Sequence, residues 1–473
     1  MSNANLALLQ VCATSADMRP RPAAPALHLR DQAPLWLDVS RLLWRVFRGT
    51  LTGVDRVELA YAEHLLAEAG DRLRFVAYDY RGRFGLLPHA QTAALVRSVG
   101  PAWEAGTLAR LAPRALAAFA GSLANWRGVP SPGRSGPRPI YLNVSHHPLA
   151  KTEAVARLLA RTGANLVPLV HDLIPLDWPE YVGAAETARH RRRIATIAAH
   201  ASAVLANSAA TADALRPLLP PGLPMLSVPL GVVRRHAAAL PPALATGAPY
   251  FLCLGTIEPR KNHLMLLHLW RQLVVATPAG QPVPRLVIVG NRGWDNEQVV
   301  DLLERCARLR PHVLELGRVS DGVVAALLDN ARALLMPSFI EGFGLPVAEA
   351  LARGTPVLCS DIAAHREIAG PVAEYLDPLN TLAWLRAVQH YAAPAAPRRL
   401  AQLRRLAGWE APGWPAHVDA VLNFLAELPA RPSARNAAPR PMRPPGAGPG
   451  PAAAVRSPAT PGNAPPAPAL HPA

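Results

Sequence analysis

Lysine is nearly missing from this chain: among 49 lysines and arginines only Lys151 and Lys261 are lysines, so arginine is the default cation. The four cysteines, Cys12, Cys253, Cys306 and Cys359, follow neither disulfide-framework nor metal-ligand spacing. Cys253 and Cys359 sit in apolar runs, where a reduced cysteine behaves as a small hydrophobe. Apolar residues make up 50% of the chain, yet no uninterrupted apolar stretch reaches the ~18 to 20 residues that a membrane span needs. Residues 1–34, rich in Ala, Pro and Arg, are expected to be disordered and show no charged-then-apolar leader pattern, and a cytoplasmic protein is expected. There the sequon Asn143-Val144-Ser145 carries no meaning. Asp-x-Asp occurs nowhere, so no carboxylate cage for a divalent cation is visible, and no metal or other cofactor is expected.

Acidic residues are outnumbered, 33 against 49, which leaves a net charge of +16. No zinc-ligand pattern or aromatic-rich RNA-binding motif accompanies it, and no nucleic-acid partner is expected. Five arginines and no acids lie in the Pro/Ala-rich tail 429–473, which has too little apolar surface to fold. A dense basic run, Arg189-His190-Arg191-Arg192-Arg193, precedes apolar Ile194 and Ile197. It reads equally as a peripheral contact with an anionic membrane or as a solvated helix face.

Short apolar runs alternate with helical stretches along the rest of the chain. Runs at 35–39, 74–78, 139–143, 166–170 and 203–206 read as one set of strands, with a helix near 186–201. A second set falls at 250–255, 286–290, 313–316, 333–336 and 356–359. Continuous rather than alternating apolarity is what parallel strands covered on both faces produce. The expected fold is α/β, with two facing Rossmann-like domains at 35–230 and 250–412, a Pro/Ala-rich linker at 231–249 and a terminal helix at 413–428. Open parallel sheets bind ligands where strands end and helix N-termini begin.

The second set of strands carries the chemistry. Lys261 stands in Gly255-Thr256-Ile257-Glu258-Pro259-Arg260-Lys261-Asn262, where a compact ammonium and a planar guanidinium can grip two phosphates in different ways. About eighty residues later comes Glu341-Gly342-Phe343-Gly344-Leu345-Pro346-Val347-Ala348-Glu349, with its glycine amides just ahead of a helix opened by Pro346. On these motifs, and over roughly residues 36 to 428, the chain resembles the retaining, nucleotide-sugar-dependent glycosyltransferases of family 4, which carry Glu-x7-Glu. The resemblance implies the GT-B fold, with the last helix crossing back onto the first domain. It also implies transfer of a hexose to a saccharide or lipid-linked acceptor in bacterial surface-polysaccharide synthesis. Similar chains look like mannosyl- or rhamnosyltransferases, so GDP-mannose is the favoured donor.

In that resemblance Glu349 accepts hydrogen bonds from ribose, Glu341 contacts the donor sugar, and Arg260 with Lys261 neutralises the leaving diphosphate beside Gly255. Gly342, Phe343, Gly344 and Leu345 line the donor. Gly53, in Thr52-Gly53-Val54-Asp55-Arg56, brings backbone close to the diphosphate, although the family often has a second glycine where Asp55 stands. His171-Asp172 ends a strand at the cleft, as does the sugar-contacting histidine of the resembling enzymes; Asp172 either binds acceptor or orients the histidine. His146 is a further acceptor-site candidate. Arg292, after the strand ending in Gly290, reads as a phosphate or base contact or as a surface arginine, and Ser338 is expected to hydrogen-bond to the acidic loop. Taken singly, Arg260-Lys261 reads as a solvated loop and the two glutamates as helix-terminal ion pairs; their order and spacing carry the assignment. Two rival classes are a sugar-nucleotide epimerase of similar fold and a non-catalytic basic binding protein.

Overall fold

The computed structural model describes residues 33–428 apart from 50, 80–82, 118–136, 245–248, 279 and 394. The expected unfolded segments, 1–34 except its last two residues and 429–473, lie outside the described residues. The first half is built on strands β1 (Leu35–Asp38), β2 (Leu73–Tyr78), β3 (Phe84–Leu86), β4 (Ile140–Asn143), β5 (Asn165–Val170), β6 (Val204–Ala206) and β7 (Met225–Ser227). They form one sheet in the order β3-β2-β1-β4-β5-β6-β7. The second half has β8 (Tyr250–Leu254), β9 (Arg285–Val289), β10 (Val313–Gly317), β11 (Leu334–Met336), β12 (Val357–Ser360) and β13 (Glu374–Leu376), in the order β10-β9-β8-β11-β12-β13. Leu35, Leu37, Phe251 and Leu252 are wholly buried, because helices cover both faces of each sheet. In β1 the side chains of Leu35 and Leu37 enter one apolar core while Trp36 enters another on the opposite face.

Two parallel sheets were expected, and the first one departs from this at its edge. β3 runs antiparallel to β2, with Val76 opposite Leu86. The connection is only a few residues long, too short for the crossover that a parallel strand requires. Asp79 closes it, its N–H donating to Arg83 O at 2.9 Å and its carboxylate accepting from Arg83 N at 2.8 Å.

Three helices of the first half matter for the site: α1 (Ser40–Arg48), α2 (Gly53–Glu68) and α3 (His89–Glu104). The terminal helix Trp414–Ala426 returns to α2. There the Tyr61 hydroxyl meets His417 Nε2 at 2.6 Å, the His417 Nδ1 lies 2.8 Å from Pro229 O, and the Tyr61 and Trp414 rings pack edge to face. Strand order reverses between β1 and β4 and again between β8 and β11. Crevices open at such switch points beyond the strand C-termini, which puts Asp38, the segment 143–146, Gly255 and Ser338 at their rims.

Candidate active site

β8 ends at Leu254, and Gly255 at φ 137° leads into a single 3-10 turn, Pro259–Lys261. Pro259 is preset for a first helical position, and Asn262, in the left-handed region at φ 57°, ends the turn. The turn delivers Arg260 and Lys261 into the crevice. Lys261 is only 7% exposed, and a cation so buried requires partners. Its Nζ donates to Glu341 Oε1, while Arg260 Nη1 donates to Glu341 Oε2 at 2.8 Å and Arg260 Nη2 reaches Glu258 Oε1 at 2.7 Å. Burial alone would raise the pKa of Glu341, but Lys261 and Arg260 outweigh it and hold the carboxyl well below the usual carboxylate range. Glu258 goes the other way, raised by burial against the pull of the same two cations. One ionised carboxylate thus bridges the two cations, and an incoming anion would compete with it.

Gly342 is where the two halves touch. A Cβ there would lie 2.1 Å from His171 O, so any side chain would force the loops apart. The Gly342 carbonyl accepts from Ser208 Oγ at 2.7 Å, and Asn207 Nδ2 donates to His171 O at 2.9 Å. Gly344, at φ 91°, opens the helix Leu345–Ala352. Among the described residues the N–H groups of Gly342, Phe343 and Gly344 donate to no protein acceptor, a backbone concavity suited to anionic or hydroxyl oxygens. The Phe343 ring itself is packed in the core, so only its backbone is left for a ligand.

His171 follows β5, and its Nε2 lies 2.7 Å from Val144 O. A carbonyl can only accept, so Nε2 carries the proton and Nδ1 keeps its lone pair. Burial lowers the pKa of His171, with the Val144 bond and Asp172 opposing, and the ring is neutral at pH 7. Asp172 accepts from Ile174 N at 3.2 Å, a local cap for the helix Ile174–Asp177. His146, at φ 62°, packs edge-on to both His171 and His190. It supports His171 from behind the strand end.

Glu349 stands apart from Lys261 and faces the first half. Arg56, from α2, donates to Glu349 Oε1 at 3.4 Å and to Asp321. Burial raises the Glu349 pKa, with Arg56 opposing and Asp321 reinforcing. A solvent-open cleft lies here, lined by Arg56, Trp103, Arg235, Asp321, Glu349 and Trp414 among others. It meets the expected site at Leu345 and Glu349 and runs toward the terminal helix. Arg318 closes its side, its guanidinium 4.0 Å from the centre of the Trp103 ring.

Three expectations change with the structure in hand. Arg292 does not join the cluster: Glu315 holds it at both Nε and Nη2, 2.8 Å each, and Glu304 takes Nη1 at 2.6 Å. Ser338 is buried and its Oγ bonds to no described protein group, so the expected bond to the acidic loop is not made. Gly53 is the first residue of α2 with open space beside it. Asp55, standing where the family often has glycine, accepts from Thr52 N and Oγ1 at 2.6 Å each and fixes this loop as a capping box. In the basic run, Arg193 and Arg189 both turn to Glu186, which leaves Arg191 and Arg192 exposed without acid partners among the described residues.

Sequence reasoning missed Arg56, Glu258 and His365. His365 is wholly buried, its Nδ1 lies 2.9 Å from Ser360 O, and its Nε2 has no described partner. A Cβ on Gly344 would come within 3.2 Å of its ring. Only its place soon after a strand end, in Asp361-Ile362-Ala363-Ala364-His365, could have flagged it. No group of three or more His, Cys, Asp or Glu able to hold a metal occurs among the described residues.

A family model described as glycosyl transferases group 1 matches residues 241–374, the stretch that holds Arg260, Lys261, Glu341 and Glu349. Over that stretch the chain is similar to the group 1 glycosyl transferases. O-antigen chain mannosyltransferase B of Escherichia coli is 39% identical to this chain over 129 residues, 27% of this chain and 33% of that protein. The serotype-specific mannosyltransferase WbdA of Escherichia coli is 31% identical over 236 residues, 45% of this chain and 28% of that protein. The chain therefore spans a third or less of those two relatives. Among solved structures, sucrose-phosphate synthase from Thermosynechococcus elongatus superposes with a TM-score of 0.54 at 16% identity, over 84% of this chain and 99% of that one. Anabaena Alr3699/HepE in complex with UDP does so with a TM-score of 0.52 at 15% identity, over 84% and 100%. Residues 241–374 thus fall in one half of a GT-B fold.

Proposed function

We propose that this protein is a retaining glycosyltransferase that moves a hexose from a nucleotide sugar to a saccharide or lipid-linked saccharide in surface-polysaccharide synthesis. The observation that carries the reading is the pair of cations, part-buried Arg260 and buried Lys261, set beside the unpaired amides of Gly342 to Gly344 at the ends of adjacent strands. When a sugar leaves a diphosphate, charge builds on phosphate oxygen, and fixed cations and amides stabilise that charge more in the transition state than in the ground state. In this reading residues 250–412 bind the donor and 35–230 the acceptor.

Donor binding exchanges the Glu341 contacts: the diphosphate takes the cations, and the carboxylate turns to the sugar hydroxyls. Glu349 leaves Arg56 for the ribose, and neutral His171 accepts from a sugar hydroxyl at Nδ1. The bond from the anomeric carbon to phosphate breaks, the acceptor oxygen bonds to that carbon on the same face, and its proton goes to the departing phosphate. No metal takes part. The mannosyltransferases among the relatives support mannose, with GDP-mannose as the favoured donor. A lipid-linked acceptor would hold the protein in peripheral contact with the inner face of the membrane.

Release of free nucleotide from a panel of sugar nucleotides, with and without disaccharide acceptors, tests the reading. Acceptor-stimulated release from GDP-mannose is expected. Conversion of a sugar nucleotide to its epimer without nucleotide release would overturn it, as would failure to bind any member of the panel.

A further inference from the structure

Helix α1 has two faces of opposite character. Leu42, Leu43 and Val46 are buried in the core, while Trp44 is 44% and Phe47 37% exposed, their rings edge to face with centres 6.2 Å apart. Arg48 is exposed beside them. The C-terminal end of the helix lies against the turn Leu108–Leu111, where a Cβ on Gly49 would sit 3.5 Å from that of Ala109. This turn and the residues after it add exposed Arg110, Arg114 and Leu116. No acidic residue occurs from Ser40 to Leu51 or from Ala105 to Ala117. Asp55 neutralises Arg41 and Arg45 from one side, whereas Arg48, Arg110 and Arg114 have no acid partner among the described residues.

We propose that this face rests on an anionic lipid bilayer. Exposed aromatic rings on one helical turn mark an interaction surface, and Trp and Phe beside arginines match the boundary between acyl chains and headgroups. The cations, free of acids, complement lipid phosphate. The basic run on the helix Ala184–His200 is a poorer fit. Ile194 and Ile197 of that helix pack in the core on the opposite face of the first sheet from Leu42 and Val46, so one flat bilayer does not meet both helices. Trp44 and Phe47 have no exposed aromatic counterpart among its described residues.

The assignment deepens the membrane contact proposed above and rests on that reading. It is measured without sugar nucleotide, so failure here is distinct from failure of donor turnover. The full chain is sedimented with vesicles of phosphatidylcholine, alone or mixed with phosphatidylglycerol. Binding to the mixed vesicles is expected, and Trp44→Ser with Phe47→Ser should weaken it about tenfold or more while donor turnover and melting temperature hold. Arg48→Gln with Arg110→Gln should remove about tenfold from binding to mixed vesicles and little from binding to phosphatidylcholine. Arg191→Gln with Arg192→Gln should change neither. Absence of vesicle binding by the parent, an unchanged Trp44/Phe47 variant, or a loss confined to the Arg191/Arg192 variant would each overturn the assignment. Self-association abolished by the Trp44/Phe47 change, without vesicle binding, would give the face to a second copy instead.

Discussion

Replacing Glu58 by glutamine should remove one contribution to stability that is lost as pH rises from 6 to 8. Glu58, on α2, and Asp38, at the end of β1, are both fully buried. Glu58 Oε1 accepts from Leu42 N at 2.9 Å, and Asp38 Oδ1 accepts from Ser40 N at 2.9 Å, so the two acids cap the start of α1. Burial, reinforced by the neighbouring Asp38 charge, pushes Glu58 from 4.5 up to about 8. Burial raises Asp38 to about 6, with bonds from Ser40 and Tyr141 opposing. The folded protein therefore keeps the Glu58 proton to higher pH than the unfolded chain does. Stability from this group is full below pH 4.5, falls as pH rises, and is lost above about 8. Each pH unit in that window is worth ~1.4 kcal/mol. Buried histidines whose pKa burial lowers, among them His146, His171 and His263, gain stability over the same interval, but alike in parent and variant, so between pH 6 and pH 8 the parent should lose about 2 kcal/mol relative to Glu58→Gln. Glutamine has the shape of the protonated acid and no proton to lose. Urea unfolding followed by tryptophan fluorescence across this range should show the parent midpoint falling relative to that of Glu58→Gln. Parallel pH profiles in the two proteins would refute the placement of an uncharged Glu58 beneath α1.

Lys261→Ala should lower sugar transfer by about 100-fold or more, the cost of one fixed charge at a reacting centre, with the melting temperature read alongside; near-normal turnover would remove Lys261 from the donor site. Gly342→Ala places a methyl where only 2.1 Å separates it from His171 O, and turnover should drop at least ~10-fold while circular dichroism keeps its shape. Turnover in excess chelator should match that without it; loss restored by magnesium or manganese would place a cation in the reaction.

Much of the architecture was legible before the structure. Parallel strands covered on both sides are continuous apolar runs, and ten of them were located to within a residue or two. β3, β7 and β13 were missed because they are edge strands in which Gly85, Ser227 and Glu374 break the continuous apolar run that marks most of the others. Ser338 and His365 show how little a residue's type says about its surroundings. Both are buried polar groups with an atom that no described protein group satisfies, and neither stands in a run that signals it.

The sequence by itself determined the alternation of strand and helix, the two glycine-bearing turns at strand ends, and the crowding of cations and carboxylates near them. Those are properties of neighbours along the chain. Tertiary structure decided the pairings: Arg292 goes to Glu315 rather than to the crevice, and Arg56 meets Glu349 from 293 residues away. A charge takes whichever partner the fold brings within reach, because Coulomb attraction between side chains depends on distance in space and is blind to separation along the chain.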